Sequence, residues 1–260
     1  VSGSDPAVPE VNPGQMREEA ERILGEAHRA DVTLRLLGAL AFEYQCPRFN
    51  HLREDMGRVL SDLDLVSVSD QWQRVTQLLD SLGYAFDERY AMLHGNERLI
   101  FFHDDGFRVD VFFDRLDMCH EVDFRGRLSI DPKTISVTDL LLEKLQIVRI
   151  TKKDLIDTIV LIREHEVGED ESRINAAHVA TRFAGDWGFY YTATENLKFI
   201  RDQSLSEFPA LADGDRDVVR TRIDSLLDRI EAEPKTSAWR LRSKIGARVR
   251  WYKEVGDLTR

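Results

Sequence analysis

The sequence predicts an α+β fold, with a mixed sheet and flanking helices over residues 15–134 and an all-helical half over residues 135–260. Three observations carry this. Short apolar runs of β type occur only before Asp131-Pro132. Beyond that dipeptide, apolar residues recur at helical spacing in one segment after another. Gly168, Gly185, Pro209, Gly214 and Pro234 stand between those segments, where connecting turns belong.

Residues 1–14 hold three of the seven prolines and little that could pack, so they read as a flexible tail. From Gln15 to about Ala30, charges alternate with Ile23, Leu24 and Ala27 at helical spacing, which predicts an amphipathic helix. The apolar run Leu34 to Phe42, interrupted by Gly38, predicts a buried strand ending in a tight turn. A polar stretch from Glu43 to Arg58 leads into Leu60 to Val68, a second strand. A helix over 70–82 stops at Gly83. The runs 98–103 and 108–113, joined by Asp104-Asp105-Gly106, predict a hairpin, because Asp-Gly supplies the positive φ that tight turns need. Helices are then expected over 138–150, 153–166, 171–184, 194–202, 216–233 and 237–252.

With 260 residues, 42% of them hydrophobic, the chain is long enough for a substantial core. Cys46 and Cys119 are too few for a disulfide framework and lack zinc spacing, so a reducing cytoplasm is expected, with no structural metal on cysteine. No apolar run approaches membrane-spanning length and no secretory leader pattern opens the sequence, so no membrane association is expected. A net charge of −11 means that a polyanionic partner would need a local basic patch.

The chemistry concentrates in aspartates. On a strand, alternate side chains share a face, so Asp62 and Asp64 project together while Leu63 and Leu65 face the other way. Two carboxylates roughly 7 Å apart in apolar surroundings need a compensating cation. Asp110 lies within Arg-Val-Asp-Val-Phe-Phe, where an unpaired charge would be costly, and completes a candidate set. Magnesium suits it, because that ion takes hard oxygen ligands and keeps positions for water and phosphate. Three such carboxylates can hold two ions.

In order and spacing, Leu36-Leu37-Gly38-Ala39, Asp62-Leu63-Asp64-Leu65 and Val109-Asp110-Val111 resemble the signature of the polymerase-beta-like nucleotidyltransferase superfamily. Within it the chain is most similar to the abortive-infection, toxin-type subgroup, which tends to carry an arginine shortly before Asp-x-Asp, as Arg58 does here. The resemblance continues through Asp139 to Lys144, Arg149 and Lys153-Asp154-Leu-Ile-Asp157, and covers about residues 34–162. It implies a nucleotidyltransferase-like sheet, with Asp62, Asp64 and Asp110 as catalytic metal ligands. It further implies nucleotide contacts at Gly38, Ala39, Arg58, Lys144 and Asp154. The implied reaction moves a nucleoside monophosphate from a magnesium-bound NTP to an acceptor hydroxyl. Ala39 departs from the family's Gly or Ser, which motivates an alternative reading as an inactive binding or scaffold module.

The resemblance to toxin-type enzymes implies an RNA 3′ end such as that of tRNA as acceptor, and an antitoxin protein as partner. The net acidity suits instead a small cationic acceptor such as an aminoglycoside. Lys144 reads either as a triphosphate ligand or as a solvated helix lysine. Asp154 and Asp157, three apart on one helix, either orient Lys144 and Arg149 or cap the first turn. Arg98 reads as a phosphate contact or an interstrand ion pair. The histidines, among them His120, show no metal spacing and read mostly as surface or turn residues. The basic segment 239–253 reads as a nucleic-acid contact. Its other reading is a helix burying Trp239, Leu241, Ile245 and Val249, with its arginines paired to the preceding acidic helix.

Overall fold

The computed structural model describes residues 12–60, 62–88, 91–92 and 97–255. The tail assigned to residues 1–14 therefore falls almost wholly outside the described residues. The chain is α+β and divides into two compact units, neither continuous in sequence. The first takes residues 1–41, 59–115 and 125–135, and the second residues 42–58, 116–124 and 136–260. The last crossing between units falls between residues 135 and 136, and the inclusion of 42–58 and 116–124 in the helical unit has no signal in local pattern.

The first unit is built on a five-stranded mixed sheet of β1 (Arg35–Leu37), β2 (Leu63–Ser67), β3 (Ala85–Phe86), β4 (Arg98–Phe102) and β5 (Arg108–Phe113), in the order β1-β2-β5-β4-β3. Only β2 and β5 run parallel; the other neighbours are antiparallel. The outer edge of β1 is bonded by residues 133–135, which leaves it no open ladder there. Helix α1 (Pro13–Arg29) starts with an Asn12/Gln15 capping box and buries Met16, Ala20, Ile23 and Ala27 on one stripe. The expected strand through Phe42 is shorter than its apolar run. It ends at Leu37, and helix α2 (Gly38–Gln45) begins at once, so Leu40 and Phe42 are buried helical residues. Short apolar runs do not distinguish a buried strand from a buried helix. The Asp-Gly hairpin forms as expected, with Gly106 at φ 89°. Helix α4 (Trp72–Ser81), which follows α3 (Asn50–Asp55) in chain order, packs on α1 and precedes Gly83 at φ 90°.

The second unit centres on α5 (Val137–Leu145), buried at every position and packed by α6 (Lys152–Glu164), α7 (Ala176–Gly185) and α8 (Trp187–Asp202). A helix covered on all sides shows no polar stripe, and the Leu-Leu-Leu run at its centre reflects that. Helices α9 (Asp213–Ala232) and α10 (Ser237–Ile245) follow. The half after residue 135 is helical as expected, with one short parallel pair, β8 (Val167–Gly168) and β9 (Ile174–Asn175), between its helices; ahead of α5, β6 (Arg115–Asp117) pairs with β7 (Glu121–Asp123). The helix expected to reach residue 252 stops at Ile245, because Gly246 takes φ 62°. Among the described residues, no helix is long and apolar enough to cross a membrane.

Candidate functional site

The sheet of the first unit gathers the aspartates. In the β1-β2-β5 register, Leu37 lies opposite Asp64 and Asp64 opposite Asp110. Neighbouring strands are about 4.8 Å apart, and residues in register send their side chains to one face. Asp64 and Asp110 therefore stand side by side. Their exposure is graded: Asp110 is buried, Asp64 half-buried and Asp62 exposed. Asp62 lies just ahead of β2 rather than within it, so the expected strand from Leu60 is shorter at its start.

Gly38 explains how Asp64 can sit where it does. Its φ of 67° belongs to the left-handed region that side chains disfavour. A Cβ there would also press on the Asp64 carboxylate, standing 3.1 Å from its Cγ and closer still to Oδ2. A glycine is thus required twice over at the junction of β1 and α2. Ala39, the next residue, is buried in the first turn of α2.

Two arginines meet Asp110. Arg108 lies two residues earlier on the same strand, hence on the same face, and donates from Nε to Oδ1 and from Nη2 to Oδ2, each at 3.2 Å. Arg98 comes from β4, where Ile100 is opposite Asp110, so it reaches the same face diagonally and pairs with Oδ2. Its guanidinium also lies 4.9 Å from the centre of the Phe112 ring. Arg98 thus realises the interstrand ion pair of the sequence reading. Arg108 was not singled out, although the Arg-x-Asp alternation within β5 carried the signal.

The donor set suits a hard divalent cation: carboxylates on one sheet face, beside a glycine whose missing side chain makes room for the Asp64 carboxylate. A finished three-ligand cage is not formed. Among the described residues, no three His, Cys, Asp or Glu side chains converge as a metal would need, and Asp110 has arginines for its charge.

Lys144, Arg58 and Asp154 lie in the second unit and form a different constellation. Lys144 is buried, with Nζ 3.4 Å from each of Glu143, Asp154 and Asp157. Burial alone would lower its pKa, but Glu143, Asp157 and Asp154 together raise it above the ordinary lysine value, so it stays charged. Asp157 is fully buried and takes Arg53 Nε at 3.1 Å and Arg58 Nε at 3.1 Å as well. Asp154 performs both roles weighed for it: it accepts from the Thr151 backbone and hydroxyl at the start of α6, and it faces Lys144. Three cations and three anions are thereby closed on one another. The solvated-lysine reading of Lys144 does not survive, because only 7% of the residue is exposed.

His120 is not a surface residue. It is buried, stacks on Phe189 with ring centres 5.2 Å apart, and shares a 2.8 Å hydrogen bond with the Thr192 hydroxyl. Burial lowers its pKa to about 4, so the ring is neutral at ordinary pH.

No protein-family model matches the chain, and no curated protein matches it. The solved structures it is similar to include an antigenic nucleotidyltransferase-like protein from Paracoccidioides brasiliensis, at 15% identity and a TM-score of 0.39, covering 88% of this chain and 97% of that one. They also include JHP933 from Helicobacter pylori, at 12% identity and a TM-score of 0.40, covering 90% and 99%.

Proposed function

We propose that the protein is a magnesium-dependent nucleotidyltransferase that moves a nucleoside monophosphate from an NTP to an acceptor hydroxyl and releases pyrophosphate. The observation that carries this reading is the register pairing of Asp64 with Asp110 beside Gly38, with apolar residues on either side of each aspartate along its strand. Carboxylates are rarely built into adjacent interior strands without a task for their charge.

In this reading Asp62 and Asp64 hold the ion, and Asp110 completes the set when its arginine contacts give way. Bound magnesium would polarise the phosphoryl oxygens and neutralise the leaving pyrophosphate. The chain's own residues supply the rest. At the start of α2, beside Gly38, N–H groups and the helix dipole favour phosphate oxygens, and Ala39 contributes through its backbone. Arg98 and Arg108, on the same face, offer guanidinium groups to the triphosphate in the place of Asp110. Asp110, freed of them, accepts the proton from the acceptor oxygen. Arg58, Lys144 and Asp154 hold the helical unit together, since each is committed to the charge cluster around Asp157.

The acceptor is tested directly. Each labelled NTP is incubated with the protein and magnesium, once with total tRNA and once with a panel of aminoglycosides. The resemblance to toxin-type enzymes favours label on RNA, whereas the net charge of −11 favours label on a cationic small molecule. Label on neither acceptor, with no binding of magnesium and NTP, rejects the proposal and leaves the inactive module.

A further inference from the structure

Of the inward face expected for the basic segment 239–253, Trp239 packs inward and Leu241, Ile245 and Val249 do not. The segment's aliphatic side chains face outward: Leu241 is 67% exposed and Ile245 45%, one turn apart on α10, and Val249, past the turn at Gly246, is 59% exposed. No residue of α10 is buried. The aromatic rings face inward instead. Trp239 packs edge-on against Tyr190, and Trp251 against Tyr191, with its indole N–H donated to the Thr192 hydroxyl at 3.0 Å. Nor are the cations taken up by the preceding acidic helix. Arg240, Lys244 and Arg248 form no ion pair with any described residue, while most arginines elsewhere in this acidic chain are paired.

We infer that this face is a docking surface for an acidic amphipathic helix of another protein. Leu241 and Ile245, one turn apart on α10, form a short apolar stripe that a partner helix can cover, and the exposed Val249 lies beyond the break at Gly246; helix-on-helix recognition is read through residues at the spacing of the first two. Arg240, Lys244 and Arg248 flank the stripe, which selects a partner whose polar face carries Asp and Glu. Single-stranded RNA fits less well: it calls for exposed rings on which bases stack, and here the rings are engaged within the unit. An anionic membrane surface is the weaker fit for the same reason, since interfacial helices lean on Trp and Phe.

The test uses the full chain and a labelled peptide of about 20 residues with leucines at helical spacing and glutamates between them. A scrambled peptide of equal composition, a labelled RNA and phosphatidylserine vesicles serve as competing probes. The expected result is that the amphipathic peptide binds at least roughly tenfold more tightly than the scrambled one, and that Leu241→Ser with Ile245→Ser removes this preference at an unchanged melting temperature. Both side chains are exposed, so the substitutions leave the core intact. Equal binding of the two peptides overturns the inference, because charge alone would explain it. Tighter binding of RNA or vesicles than of the amphipathic peptide overturns it too, as does self-association of the chain that the double substitution abolishes.

Discussion

Two groups of charges in this protein are built from the same residue types to opposite ends. Around Asp157, Arg53, Arg58 and Lys144 meet Glu143, Asp154 and Asp157, all within the helical unit and nearly all out of water. On the sheet, Asp110 is buried with two arginines, Asp64 is half-buried against a glycine, and Asp62 is open to solvent. In the first group each charge meets an opposite one within the unit. The second is graded from closed to open along one face, as a site that exchanges partners must be. Burial and charge pairing therefore distinguish two clusters that residue type does not, and the proposed function assigns the ligand to the second.

The sharpest way to break that contrast is to remove the centre of each. Asp157→Ala would remove the carboxylate that three buried cations share and is expected to cost about 3–5 kcal/mol in a urea titration. Asp64→Asn should stay within about 1 kcal/mol of the parent while losing nucleotide binding. If Asp64→Asn proved the more destabilising, the assignment of roles would be reversed.

The helical unit carries a second closed polar group in His120, and its signature is in pH. Its folded pKa near 4 lies below the unfolded value, so between these the unfolded chain binds more protons. Stability is therefore full above about pH 6.5, falls as pH drops towards 4, and loses roughly 3 kcal/mol over that window. His120→Phe, which keeps a ring against Phe189, should flatten the fall in a pH series of urea midpoints. An unchanged slope would place the titration elsewhere.

On the sheet, Gly38→Ala should cost about 1–3 kcal/mol through its positive φ, and should displace the Asp64 carboxylate and weaken nucleotide binding with it. The smallest effect on stability, within about 1 kcal/mol, is expected for the part-exposed Arg108→Ala. Its effects on binding should have opposite signs: manganese ions alone bind more tightly, because Asp110 loses a competitor, while NTP binds less tightly. Calorimetry with each ligand checks both. Changes of the same sign would make Arg108 a purely structural partner.

Much of the sheet was legible in the sequence because its signals are local. Asp-Gly specifies the hairpin, and Asp-x-Asp in an apolar run specifies which residues share a face. With Asp62 the period continued but the strand did not. What was illegible depends on partners distant in sequence. Leu40 and Phe42 could be strand or helix until α2 was seen to start at Gly38. His120 lacks any local mark of burial, since its stacking partner is Phe189. The burial of Lys144 turned on Asp154 and Asp157 lying against it. Leu241, Ile245 and Val249 have the spacing of a buried stripe and are exposed, because periodicity identifies a face without saying what covers it.

The central claim is that the aspartates on the sheet bind magnesium and NTP together. Isothermal titration of NTP into the protein, with and without magnesium, tests it in the parent and in Asp64→Asn. The account predicts magnesium-dependent binding in the parent and a loss of at least roughly a hundredfold in the variant, at an unchanged melting temperature. Binding of equal strength in both proteins, or no binding in the parent, would contradict it.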